Sequence, residues 1–268
     1  MEQAVITQSI GASSDSIGAR AARHLDLAFR DMIIGRGAEL GESYLRQLTG
    51  EPHPLGNVAL VSDPDNLEIT QAAVGPLLAS GLPIAVLYPQ GVSGSVARSL
   101  EALEFEAHGA MPAMAVDIER LATTILPPGY DWSRIGKGND GRAWAGTLAA
   151  GYGLPLGLAL RFSPEALGAD MTPGARTQFF AIRRNGRPVA TSLLYMADGL
   201  AGIYCVATLQ GERGKGLGAH VTAEALRTAH VLGYRVGVLQ SSPDGHSVYL
   251  GLGFDDFGSI PMFVRMPA

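Results

Sequence analysis

The chain has 268 residues, 47% of them hydrophobic, with 20 Lys and Arg against 25 Asp and Glu for a net charge of −5. That length holds one large domain or two ordinary ones, and the acidic balance offers no electrostatic footprint for nucleic acid or an anionic membrane. A single cysteine, Cys205, excludes an internal disulfide framework and a multi-cysteine zinc site, as expected for a reducing compartment.

Residues 1–11 lack the basic start and apolar run of a signal peptide. No stretch of the chain reaches the roughly 18 uninterrupted apolar residues of a membrane span. The expectation is a cytoplasmic protein with neither membrane nor nucleic acid as partner. Residues 16–34 place Ile17, Ala21, Leu25, Leu27, Ala28 and Met32 at helical spacing. Residues 57–61 (NVALV) read as a buried strand, 65–79 as a helix stopped by Gly81, 83–87 (PIAVL) as a strand and 93–103 as a helix. Phe105 and residues 113–116 look extended. Strands alternating with helices predict a mainly parallel sheet here.

Leu126-Pro127-Pro128-Gly129 cannot continue a helix and marks a boundary, giving units at 1–125 and 126–268. Residues 140–152 and part of 155–167 read as helical. Residues 177–183 (TQFFAIR) and 187–196 flank Asn185-Gly186, the dipeptide of a type I′ hairpin turn. Asp198-Gly199 is a second turn and 201–208 (AGIYCVAT) a third strand. A glycine-rich loop follows, then a helix at 219–232 stopped by Gly233, a strand at 234–240, a short helix at 245–250 and a final strand or two from Phe254.

The loop reads Gly211-Glu212-Arg213-Gly214-Lys215-Gly216-Leu217-Gly218, and Lys215 is one of two lysines in the chain. Glycines there let the backbone approach a ligand, and the amides opening the next helix point at an anion. Together with Arg213 and Lys215 they predict a phosphate or pyrophosphate site. A P-loop needs Ser or Thr after the lysine, where Gly216 stands. A dinucleotide fingerprint needs an acidic residue at the end of the next strand, where Gln240 stands.

Arg213-Gly214-Lys215-Gly216-Leu217-Gly218 resembles the Q/R-x-x-G-x-G/A signature of the GNAT superfamily of N-acetyltransferases. Tyr249-Leu250-Gly251-Leu252-Gly253-Phe254 resembles the Y-x-x-x-G-F ending of its second motif. The resemblance covers about residues 135–266 and implies an α/β GNAT fold with a mixed sheet. It also implies acetyl-CoA as acyl donor with no metal. The backbone of Val206, Ala207 and Thr208 would pair with the pantetheine arm at a splay between strands. The amides of Arg213, Gly214, Lys215, Gly216, Leu217 and Gly218 would cradle the pyrophosphate. Ser242 stands where the family often has an asparagine on the cofactor arm. Tyr249 would be the general acid toward the departing thiolate, or a core aromatic.

The reaction implied is acetyl transfer to a primary amine, on a small molecule or peptide, in a ternary complex. A non-catalytic acyl-CoA sensor and another acyl or aminoacyl transferase of tandem GNAT fold stay open, as does a homodimer. The third strand lacks the glutamate that many members use as base, which leaves Asp198, a water relay or a first-half residue such as His108. Cys205, alone in an apolar strand, reads as packing rather than an acyl-enzyme nucleophile. Residues 84–105 resemble the same family faintly, with Leu103-Glu104-Phe105 where Leu-Gly-Phe would stand and no Arg-x-x-Gly-x-Gly. The first unit thus reads as a degenerate copy, or as an unrelated α/β cap.

Overall fold

A computed structural model describes residues 16–33 and 38–267. Residues 1–11 and the expected helix end at Ile34 lie outside the described residues. The first half runs α1 (Ile17–Ile33), β1 (Ala38–Gly41), β2 (Tyr44–Leu48), β3 (Asn57–Val61), α2 (Leu67–Leu78), β4 (Ile84–Leu87), α3 (Gly94–Ala102) and β5 (Glu106–Asp117). The second half runs β6 (Tyr130–Arg134), α4 (Asn139–Tyr152), α5 (Leu156–Leu160), β7 (Thr177–Arg184), β8 (Arg187–Ala197) and β9 (Leu200–Thr208). It ends with α6 (Leu217–Val231), β10 (Val236–Gln240), α7 (Pro243–Gly251) and β11 (Asp255–Arg265). No helix among the described residues is long and apolar enough to cross a membrane.

The strands of the described residues form one 11-stranded sheet in the order β1-β2-β3-β4-β11-β5-β10-β9-β8-β7-β6. Apart from the extra edge strand β6, the order is symmetric about the central β11–β5 pair. β1-β2-β3-α2-β4-α3-β5 repeats as β7-β8-β9-α6-β10-α7-β11, and each half places its last strand against the penultimate strand of the other. The two halves are therefore joined by hydrogen bonds through the middle of the sheet, not merely packed.

The mainly parallel sheet expected of the first half is not what forms. β1–β2 and β2–β3 are antiparallel, and β3–β4 is the one parallel pair of that half. The hairpin of β1 and β2 escaped the sequence reading because its strands are short and polar, with Glu39 and Arg46 paired across them. Its turn rests on Ser43 at φ 57 rather than on a glycine. The two turns of the second half do follow from sequence: Asn185 and Gly186 have φ 51 and 75, and Asp198 and Gly199 have φ 48 and 70.

Alternation along the strands sets two core layers. Val58, Leu60, Leu87, Phe179, Leu193 and Tyr195 face α1 and α4. Ala59, Val61 and Val86 face α2 and α3, and Phe180, Leu194 and Ile203 face α6. In α1, Leu25, Ala28 and Met32 are buried; each large apolar side chain so covered contributes roughly 1.5–3 kcal/mol. Trp144 of α4 is fully buried, and its indole N–H donates to the Phe180 carbonyl at 3.0 Å.

Candidate functional site

The parallel pair β9–β10 opens into a wedge. Leu200, Ala201 and Gly202 pair with Val236, Gly237 and Val238, and there the pairing stops although β9 runs on to Thr208. β10 stays with β5 to its end, while β9 follows β8. The equivalent pair of the first half stays closed: β3 and β4 remain paired through Leu60 and Leu87, at or one residue from their ends.

Within the wedge β9 carries a bulge. Thr191 pairs with Ala207 and Leu193 with Tyr204, so Cys205 and Val206 together oppose Ser192. Cys205 has φ 52, and its carbonyl accepts a 2.8 Å bond from the Thr191 hydroxyl. A bulge leaves one residue outside the ladder and re-aims its backbone groups. Val206, Ala207 and Thr208 lie on this freed length of strand.

The glycine loop closes the wide end of the wedge. Gly214 and Gly216 have φ 76 and 74, and a Cβ at either would meet nothing within 4 Å. Gly216 is the N-cap of α6 and supplies no side-chain cap, so the amides of Leu217 and Gly218 in the first turn are left for another acceptor. The matching helix of the first half is closed off. Asn66 caps α2 by accepting from the Ile69 amide at 3.1 Å, beside Asp63 and Asp65. The second-half helix start thus leaves its first amides open, whereas its first-half counterpart is capped and has two carboxylates beside it.

The two loop cations are engaged with protein groups. Arg213 donates to the carbonyls of Gly151 at 2.9 Å and Thr208 at 3.4 Å, tying the loop to α4 and the end of β9. Gly151 is small because a Cβ there would come within 2.8 Å of the Ala207 methyl. Lys215 donates to Glu212 at 2.5 Å and to the Tyr130 hydroxyl at 3.1 Å. The Lys215 ammonium, the Tyr130 hydroxyl and Arg184 together hold the Glu212 carboxyl down to about 2.

Tyr249 on α7 lies 8% exposed against Phe254, and burial pushes its phenol up to about 12. It therefore keeps its proton across the neutral range. Ser242 caps α7 by accepting from the Gly245 amide at 3.2 Å. Its oxygen is thus partly committed, while its hydroxyl proton stays available.

On the opposite face of β9 a small apolar cavity of about 160 Å³ is lined by Phe29, Met32, Leu55, Leu87, Tyr204 and Cys205 among others. Burial pushes the Cys205 thiol up to about 12, which leaves it a thiol and a poor nucleophile. The Tyr204 phenol is raised well above the usual range, chiefly by burial. Tyr204 bonds His24 Nδ1 at 3.1 Å, and His24 Nε2 meets the Tyr195 carbonyl at 3.2 Å. A carbonyl can only accept, so Nε2 carries the proton and Nδ1 accepts from the phenol. Complete burial holds His24 down to about 4, so it is neutral.

Two of the base candidates read from sequence are misplaced. Asp198 sits in the β8–β9 turn, paired with Arg23 at 3.4 Å, at the far end of β9 from the bulge. His108 lies on β5, in a separate groove with His53 and Glu106. The sequence reading missed His24, Tyr204, Gly151 and Gly202. Gly202 had the one usable signal, a glycine inside an apolar strand; a Cβ there would intrude on the His24 ring. Among the described residues no group of three or more His, Cys, Asp or Glu is placed to hold a metal ion.

Residues 160–254 match the family model described as Acetyltransferase (GNAT) family. Among solved structures, the chain is similar to a GCN5-related N-acetyltransferase from Kribbella flavida, at TM-score 0.69 and 19% identity, covering 94% of this chain and 96% of that one. A GCN5-related N-acetyltransferase from Sphaerobacter thermophilus gives TM-score 0.61 and 14% identity, over 91% and 84%. A tandem GNAT protein from the clavulanic acid biosynthesis pathway gives TM-score 0.53 and 12% identity, over 96% of each chain. No curated protein matches the chain.

Proposed function

From the match of residues 160–254 to the acetyltransferase (GNAT) family model, we propose that the chain transfers an acetyl group from acetyl-CoA to a primary amine within a ternary complex. The observation that carries the reading is the wedge between β9 and β10, which ends on a helix N-terminus with no side-chain cap. The equivalent pair of the first half lacks both features.

The amides of Leu217 and Gly218 and the loop backbone from Arg213 hold the pyrophosphate, with Lys215 turning from Glu212 toward it. Val206, Ala207 and Thr208 pair with the pantetheine arm, and the Ser242 hydroxyl donates to it. The bulge at Cys205 aims a backbone amide at the thioester oxygen, where negative charge grows as the amine attacks. Tyr249 gives its proton to the departing thiolate. Cys205 stays a spectator on the acceptor side. Tyr204, fixed by His24, shapes that side and orients the amine. With both ring nitrogens engaged His24 is no general base, so the amine enters already deprotonated or loses its proton to water.

The test is thiol release from acetyl-CoA with the full chain and a panel of primary amines. Amine-dependent release with a matching acetylated product supports transfer. Tight acetyl-CoA binding with no product from any amine would instead make the chain an acyl-CoA sensor.

A further inference from the structure

On the transferase reading above, the pantetheine arm fills the wedge between β9 and β10 in a ternary complex. The acceptor then needs a second opening onto the Cys205 bulge. The apolar cavity of about 160 Å³ behind β9 supplies one. Tyr204 and Cys205 line it from the strand, and Leu55, 44% exposed, stands at its rim. Phe29 and Met32 of α1 and Phe162, just past α5, line its sides.

No described residue of this wall carries a charge at neutral pH. Tyr204 and Cys205 supply its only polar side chains. The Tyr204 hydroxyl donates to His24 Nδ1 at 3.1 Å, and burial keeps the Cys205 thiol protonated. A distal ammonium or carboxylate held in the cavity would lose its water and gain no counter-ion. An apolar group is favoured there for the opposite reason: an apolar cavity of about 150 Å³ stays dry and takes up benzene.

We propose that the acceptor is a small apolar primary amine, alkyl or benzyl in type. Its nitrogen lies at the Cys205 bulge, and its uncharged body of roughly four to six carbons fills the cavity between Tyr204 and Leu55. The dry walls also favour the neutral nitrogen that attacks, since desolvation disfavours an ammonium. In transfer, that nitrogen bonds the acetyl carbon and the carbon–sulfur bond breaks. The sulfur takes one proton and leaves as the thiol, and the nitrogen sheds one proton to water. Carbons beyond the nitrogen take no part in bond making; they select the substrate by size and by the absence of charge.

The test measures acetyl transfer by the full chain at saturating acetyl-CoA with methylamine, butylamine, hexylamine, octylamine and 1,4-butanediamine. kcat/KM is expected to rise about four-fold per added methylene as far as hexylamine, the effect of burying one methylene. It should level off at octylamine, whose last carbons pass the rim into water. 1,4-Butanediamine, with a second ammonium inside the cavity, should fall about 100-fold below butylamine. Leu55→Asp changes an exposed position and puts a carboxylate at the rim. It should lower kcat/KM for hexylamine and raise it for 1,4-butanediamine, so that their ratio drops about ten-fold. Acetyl-CoA affinity, measured by calorimetry, should stay at the wild-type value. Activity that is flat across the amine series, a diamine as good as butylamine, or an unchanged ratio in Leu55→Asp would overturn the proposal and spare the transferase reading. A preference for butyryl-CoA over acetyl-CoA, with no dependence on amine length, would give the cavity to the acyl chain and overturn it as well. No amine-dependent product from any amine would overturn both.

Discussion

Two residues at the site carry opposite consequences of burial. The Tyr249 phenol is pushed up to about 12, so a general-acid role keeps its proton well above the ordinary tyrosine range. Tyr249→Phe is expected to lower kcat by roughly 10²–10⁴-fold with little change in acetyl-CoA affinity, and any basic limb of the wild-type profile due to this group should lie near 12. An unchanged kcat with a lower Tm would leave Tyr249 as packing only. His24 is a base held down to about 4, mainly by desolvation, with an ordinary value of 6.5. The unfolded chain takes up this proton below pH 6.5 and the native state does not until about pH 4. Stability from this group is thus present above pH 6.5 and is lost as pH falls through the window, by up to about 3 kcal/mol. Denaturant unfolding at pH 7 and pH 4.5 measures it. His24→Gln should narrow the gap between the two pH values, and an equal gap in wild type and variant would contradict the assignment.

At the scale of elements, the loop before α6 and its counterpart before α2 show how small changes decide whether a helix start can hold an anion. Gly216 leaves the first turn open, whereas Asn66 fills it with its own side chain. Gly216→Val puts a β-branched residue at φ 74, a conformation that suits glycine, and places methyl groups where a phosphate would approach. Calorimetry is expected to show no measurable acetyl-CoA binding by the folded variant; wild-type affinity would remove the loop from the site. The glycine loop and the helix start after it were legible in the sequence because glycine spacing and a helix start are local signals. The wedge was not, because it depends on where two strands far apart in the chain stop pairing. Nor was the bulge legible, since an apolar run containing Cys205 gives no sign of a positive φ.

At the scale of the whole molecule, the strand order, palindromic apart from the edge strand β6, shows two like halves that differ in strand splay and helix capping. The turn after α3 makes the likeness concrete. Phe105 N–H bonds the Leu100 carbonyl as Phe254 N–H bonds that of Tyr249, and Glu104 at φ 65 occupies the place of Gly253 at φ 95. The phenol of the second half thus corresponds to Leu100 in the first. With β3 and β4 closed, α2 capped and two aspartates beside it, the first half has at most a helix terminus to offer, about 1 kcal/mol toward an anion, against about 8 kcal/mol for micromolar binding. A calorimetric titration is expected to give one acetyl-CoA per chain, and two sites would refute the inequivalence of the halves.

The sequence by itself determined most of the elements and the place of the glycine loop. Apolar spacing and stop signals placed β3, β4, β7 to β10 and the seven helices of the described residues, turn residues placed the two hairpins of the second half, and glycine spacing marked the loop before α6, because each of these is set by interactions a few residues apart. Tertiary structure alone decided the rest. The exchange of β5 and β11 and the seating of His24 of α1 against Gly202 and Tyr204 join residues separated by 90 or more positions. Such contacts form only when buried surface and completed ladders across the sheet outweigh the entropy of closing long loops, and no local pattern encodes which distant strand will be the neighbour.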